Sequence, residues 1–149
     1  MVILALGGNL GAVEETFRTA VSALSAGGVQ VQRVSTPYRN PAVGCEEGAP
    51  DFLNVVLCGQ WSGTPLALLE LCQSIEEECG RPAEHPHWRS RTLDIDIIAC
   101  NGVHCSSERL TLPHPRWNQR GFVLVPLREL FGASADLNAV VGGTAGEPA

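Results

Sequence analysis

The sequence predicts an α+β domain, on three observations. Apolar runs with strand character alternate with two stretches of helical periodicity. Gly and Pro clusters punctuate them at domain-like intervals, and at 149 residues the chain has the length of one ordinary domain able to bury a core. Hydrophobic residues make up 44%, which is normal for a globular chain and leaves no excess for a membrane span. No stretch approaches roughly 18 consecutive apolar residues, so no membrane association is expected.

Val2 to Leu6 is a short apolar run closed by Gly7-Gly8-Asn9-Leu10-Gly11, a strand followed by a tight strand-to-helix turn. Val13, Phe17, Ala20, Val21 and Leu24 recur at helical spacing, and Gly27-Gly28 stop that helix. Val29, Val31 and Val34 begin a second strand, which leads into an irregular stretch from Thr36 to Asp51. Phe52 to Trp61 is the third strand. Thr64-Pro65 opens a helix with a hydroxyl cap and Pro at its first position, and Leu68, Cys72, Ile75 and Cys79 trace one face as far as Gly80. A polar loop, Arg81 to Ser90, precedes a fourth strand from Thr92 to Ala99. Short strands follow near Val103 and at Leu110 to Leu112, then the rigid Pro113-His114-Pro115 corner and a last helix over Gln119 to Leu130. The Gly- and Ala-rich tail, about 133–149, is expected to be flexible. The order strand, helix, strand, strand, helix, strand matches the ferredoxin-like β-α-β-β-α-β plan: an antiparallel sheet with helices on one face, extra short strands and a C-terminal helix. No repeat or linker divides it, so residues 1–149 are expected to form a single domain.

The net charge of −6 argues against non-specific nucleic-acid binding. All ten basic residues are Arg, which excludes a P-loop, because that motif needs a lysine, and leaves anion chemistry to guanidinium forks. The six cysteines, at 45, 58, 72, 79, 100 and 105, form no C-x-x-C and lie partly in apolar stretches. They read as small core residues of a reduced, cytoplasmic protein. Met1 runs straight into the first strand with no basic segment or long apolar region, so no leader is expected.

The strongest local chemical signal is Arg91-Thr92-Leu93-Asp94-Ile95-Asp96-Ile97. Leu93, Ile95 and Ile97 point to one strand face, Asp94 and Asp96 to the other, with the two acids about 6.6 Å apart along the strand. That suits a pair of magnesium ions clamping phosphate oxygens, and equally a solvated strand face. Arg81, Arg89 and Arg91 either neutralise a polyphosphate or salt-bridge the same acids. Trp88 either stacks on a flat ring or anchors its loop. His114, between two prolines, could be aimed at a phosphate, although an isolated His is more often structural; His85, His87 and His104 read as structural. Chemistry alone thus reaches a magnesium-dependent enzyme acting on a phosphate ester or anhydride, and leaves its substrate open.

With these residues in view, the chain resembles the hydroxymethyldihydropterin pyrophosphokinases of folate biosynthesis. The likeness runs from about Ile3 to about Leu130. It is carried by Leu6-Gly7-Gly8-Asn9-Leu10-Gly11, Asn40-Pro41-Ala42-Val43-Gly44, Asp51-Phe52-Leu53-Asn54, Arg91-Thr92-Leu93-Asp94-Ile95-Asp96 and Leu112-Pro113-His114-Pro115. The resemblance implies diphosphate transfer from ATP to 6-hydroxymethyl-7,8-dihydropterin with release of AMP. Asp94 and Asp96 would hold two magnesium ions, with Arg81 and Arg91 on the phosphates as catalytic residues. Gln73, Glu76, Trp88, Ile97, Arg109, Thr111, His114 and Arg120 would serve ATP. Asn40, Pro41, Val43, Phe52, Asn54, Trp88 and Phe122 would serve the pterin. The family pattern G-R-x-R is here Gly80-Arg81-Pro82-Ala83, so its second arginine is missing. The implied partners are small molecules, with neither nucleic acid nor membrane. The chain is expected to be a monomer, with association with other folate-pathway enzymes left open. A rival of another class is an idle nucleotide- or pterin-binding module, which would have no need of both Asp94 and Asp96.

Overall fold

The structure, a computed structural model, describes residues 1–41, 47–79 and 92–143. Its centre is β1 (Val2–Gly8), whose Val2, Ile3, Leu4 and Leu6 are at most 1% exposed. Such a run can be buried only if both of its faces are covered. β4 (Phe52–Gln60) pairs antiparallel with β1 on one side and β5 (Asp94–Cys100) on the other. β2 (Gln30–Val34) and β3 (Tyr38–Asn40) both pair antiparallel with β4, giving the strand order β2-β4-β1-β5 with β3 alongside β2 on β4. The chain is therefore α+β with an antiparallel sheet.

α1 (Val13–Ala26) and α2 (Pro65–Glu78) lie on one sheet face. Their buried stripes, Val13, Phe17, Ala20 and Leu24, and Leu68, Cys72 and Ile75, recur every three or four residues. They close over Leu4, Leu6, Val55, Leu57, Ile95 and Ile97. Thr64 caps α2 through its side chain, which accepts from the Ala67 amide at 3.1 Å, and Pro65 follows at the first helical position.

The opposite face is also covered, which corrects the expectation of helices on one face. α3 (Gly121–Phe131) follows a 3-10 turn (Trp117–Gln119), and α4 (Leu137–Gly142) follows α3. Val123, Leu127 and Leu130 of α3, with Leu137, Val140 and Val141 of α4, bury Ile3, Val56, Cys58, Ile98 and Ala99. The strands present apolar side chains on both faces, so one helical layer would have left half of them in water.

α4 lies within the stretch 133–149 expected to be flexible, of which 144–149 fall outside the described residues. Asp136 caps it by accepting from the Ala139 amide at 3.3 Å, and Gly143 ends it at φ +78°. Its apolar residues at 137, 140 and 141 share one face, a spacing masked in the sequence by the surrounding Gly and Ala. The stretch expected to be irregular between Thr36 and Asp51 contains β3, and the short strands fall at β6 (Cys105–Ser106) and β7 (Thr111–Leu112), one pairing with the other. Cys58, Cys72 and Cys100 are buried and Cys79 and Cys105 half-buried. Among the described residues, no helix is long and apolar enough to cross a membrane.

Candidate active site

The site begins as two rows across the central strands. Gly7 of β1 stands opposite Asn54 of β4 and Asp94 of β5; Ala5 stands opposite Val56 and Asp96. Leu93, Ile95 and Ile97 are buried against α1 and α2, so alternation sends Asp94 and Asp96 to the other face. α3 and α4 cover only part of that face. Over the remainder lies a cavity of about 770 Å³, floored by Ala5, Gly7, Asn54, Asp94 and Asp96 and walled by Arg120 and Phe122 at the start of α3. The Gly7-Gly8 pair, expected to be a turn, belongs to β1 itself. The turn comes later, where Gly11 takes φ +75°.

Asp96 is half-exposed and faces Arg120, with Nη1 to Oδ2 at 3.7 Å. The Arg120 guanidinium in turn lies 5.6 Å from the centroid of the Phe122 ring. Glu76, in the middle of α2 and 5% exposed, accepts a hydrogen bond from the Ile95 amide at 2.8 Å. That bond secures the edge strand at the residue between the two aspartates.

His114 is held after the Leu112-Pro113 cis peptide by its own amide, which donates to Ile98 O at 2.9 Å. Its Nδ1 accepts from the Arg116 amide at 3.2 Å, so the neutral ring carries its hydrogen on Nε2. Burial pushes the imidazole pKa below its usual value; Arg120 and Arg116 act in the same direction, and Asp96 opposes them. At neutral pH His114 is thus an uncharged donor.

Facing the acids, Asn54 is 7% exposed. Its Nδ2 donates to Tyr38 O at 3.3 Å and also to Asn40 Oδ1. Phe52 pairs with Asn40 across the β3–β4 ladder, and Pro41, Phe52 and Gln73 line the same cavity. An adjoining recess of about 300 Å³ shares Asp96 and His114 and is lined by Ile97, Arg109 and Thr111. The β6–β7 hairpin brings Thr111 there, and Arg109 sits 3.8 Å from Glu70 at the rim.

The fold thus brings Asn40, Pro41, Phe52, Asn54, Gln73, Glu76, Asp94, Ile97, Asp96, Arg109, Thr111, His114, Arg120 and Phe122 onto two connected cavities. Val43, Arg81, Trp88 and Arg91 lie outside the described residues, as do Cys45, His85, His87 and Arg89. Sequence reasoning did not single out Leu69 and Arg116, which also line the larger cavity. Leu69 looked like one more helix residue. Arg116 stood only as the last residue of the Leu112-Pro113-His114-Pro115-Arg116 motif that carries the resemblance, with no role attached.

The donor set suits a hard divalent cation. Among the described residues no group of three or more His, Cys, Asp and Glu forms a dedicated cage. Two carboxylates beside open space are what magnesium takes when phosphate and water supply the remaining oxygens.

A profile of the 7,8-dihydro-6-hydroxymethylpterin-pyrophosphokinase family matches residues 3–132, nearly the whole of the sheet and its helices. The chain belongs to this family. Among relatives bearing the name 2-amino-4-hydroxy-6-hydroxymethyldihydropteridine pyrophosphokinase, that of Bacillus subtilis is 43% identical over 128 residues, covering 85% of this chain and 75% of the relative. That of Methylorubrum extorquens is 41% identical over 141 residues, covering 94% and 85%. A mitochondrial folate synthesis bifunctional protein of Arabidopsis thaliana is 35% identical over 139 residues; these cover 93% of this chain and 25% of that larger protein. α4 lies beyond the stretch matched by the pyrophosphokinase profile.

Proposed function

We propose that the chain transfers diphosphate from ATP to the hydroxymethyl group of 6-hydroxymethyl-7,8-dihydropterin, releasing AMP, in folate biosynthesis. The observation that carries this reading is the row Asn54, Gly7, Asp94: a buried amide and a carboxylate flank a bare strand backbone on one cavity floor, in a chain of this family. The fold reading that goes with it is the ferredoxin-like plan in one domain, supported by the order β2-β4-β1-β5 with antiparallel neighbours.

In the reaction the substrate hydroxyl oxygen forms a bond to the β-phosphorus. The bond from that phosphorus to the oxygen bridging the α- and β-phosphates breaks, AMP leaves with the bridging oxygen, and the hydroxyl proton passes to water. Asp94 and Asp96 would hold two magnesium ions, which when bound offset charge on the phosphate oxygens. The neutral His114 offers an Nε2 hydrogen to a phosphate oxygen, and Arg120, already at the acids, offers a guanidinium fork. Arg81 and Arg91 complete the catalytic set on the phosphates. Asn54, Phe122 and Phe52 hold the flat acceptor, with Asn40, Pro41, Val43 and Trp88 around it. Ile97, Thr111, Arg109, Gln73, Glu76 and Trp88 serve the nucleotide. Positioning of the two substrates in one cleft, with electrostatics, supplies most of the acceleration, and no general base is required.

The test is product analysis with purified protein, ATP, magnesium and the pterin alcohol. AMP is the expected nucleotide product. ADP would overturn the diphosphate transfer, and no product with binding retained would favour the idle module. Omission of magnesium is expected to abolish turnover; full turnover with a chelator present would remove the metal assignment.

A further inference from the structure

Gly7 occupies the middle of the cavity floor for a reason that backbone freedom does not supply. It lies within β1 and is absent from the residues of positive φ, so any side chain could adopt its conformation. Space decides instead. A Cβ built there would stand 2.9 Å from Asn54 Oδ1, while the next atoms, Leu53 O and Asn54 Cγ, are at 3.8 and 3.9 Å. The conflict is with one side-chain oxygen and not with the sheet.

That oxygen cannot simply step aside. Nδ2 of Asn54 is committed to Tyr38 O and Asn40 Oδ1, so turning the amide breaks a bond within a residue only 7% exposed. With both N–H groups directed toward β3, the carbonyl oxygen is the polar atom left for the cavity. Among the described residues it accepts no hydrogen bond. Asn54 and Asp94 flank Gly7 from neighbouring strands, hence about 9.6 Å apart across the sheet at two strand spacings. A bicyclic ring docked by an N–H edge on Asn54 therefore has its opposite edge above Asp94.

We propose that Gly7 is a specificity-determining position for the acceptor: its missing side chain leaves the Asn54 carbonyl oxygen over the central strand, where it reads an N–H of a flat heterocycle and points the far edge of that ring at Asp94. The inference rests on the pterin-acceptor reading of this cavity. It makes Gly7 a positioning residue acting through Asn54, with no role toward ATP.

The experiment measures binding of the pterin alcohol and of a non-hydrolysable ATP analogue by titration calorimetry, with steady-state kinetics, for wild type, Gly7→Ala, Asn54→Ala and the double variant. Gly7→Ala is expected to weaken pterin binding about 10- to 100-fold, the size of one lost buried hydrogen bond, and to raise the pterin KM in step. Analogue binding is expected to stay within about twofold. In the Asn54→Ala background the same change is expected to cost less than about twofold more, since the oxygen it displaces is gone. Unaltered pterin affinity in Gly7→Ala, or an equal loss in both backgrounds, would overturn the proposal. Should Gly7→Ala fail to fold, the double variant decides: matching Asn54→Ala supports the inference, and a further loss of affinity ends it. Wild type that releases AMP with an insensitive Gly7→Ala sinks this inference alone; wild type that binds no pterin sinks it together with the proposed function.

Discussion

The carboxylate of Glu76 reaches across from α2 to the open edge of β5 and accepts the Ile95 amide at 2.8 Å. β5 ends the strand order and has β1 on one side only, so its outward amides need partners from elsewhere. Glu76 supplies one at the residue between Asp94 and Asp96, and thereby fixes the pitch at which both acids are presented.

Replacing Glu76 by Ala is accordingly expected to cost about 1–3 kcal/mol in urea unfolding, through the orphaned amide. The same variant is expected to bind manganese, as a magnesium probe, about tenfold more weakly, as when a group supporting metal ligands is lost. Glu76→Gln, which keeps an acceptor, is expected to recover most of the stability. Wild-type stability in Glu76→Ala would show that the bond to Ile95 does not hold the edge.

Asp96→Asn is expected to abolish AMP release while the unfolding midpoint barely moves. The ion pair it removes, Arg120 to Asp96 at 3.7 Å, is partly exposed on both sides and is worth at most about 1 kcal/mol. Turnover within a few-fold of wild type would remove Asp96 from the metal site.

Leu137 and Val140 bring α4 onto the sheet at 5% and 6% exposure. Leu137→Ala is expected to destabilise by about 2–4 kcal/mol, the usual range for emptying a buried leucine site. Chemical denaturation checks this, and a change below about 0.5 kcal/mol would mean α4 adds nothing to the core.

Cys72 offers a pH prediction. Burial, then the charges of Glu76 and Asp96, push its thiol from 9.0 up to about 12. The folded state therefore keeps the proton that the unfolded chain gives up above pH 9.0. Its contribution is complete below pH 9.0 and is lost as pH rises from there toward about 12. Wild type is expected to lose stability over that window more steeply than Cys72→Ala, and Cys72 to resist alkylation in the folded protein. Parallel curves for the two proteins would contradict the shift.

Much of this molecule was legible along the chain because the signals are local. The alternation of Asp94 and Asp96 with Leu93, Ile95 and Ile97 needs only the two-residue strand repeat, and Thr64-Pro65 marks a helix start by capping chemistry. The helix over Gln119 to Leu130 was legible and is α3, but its place on the opposite sheet face was not, and α4 was missed. Leu137, Val140 and Val141 declare a face only when there is a sheet for it to cover, and the apolar residues of β1 fit one helical layer or two until their partners are placed.

The sequence by itself determined most of the elements, though neither β3 nor α4, together with the same-face acids and the family likeness, since each depends on residues close together in the chain or on a motif read as a string. Tertiary structure alone decided that Asn54 and Asp94 meet across Gly7, that Glu76 serves the amide of Ile95, and that Arg120 lies between Asp96 and Phe122. Those relationships follow from strand register and from a helix docking on a sheet edge, and both are set by the summed burial and hydrogen bonding of residues far apart in sequence.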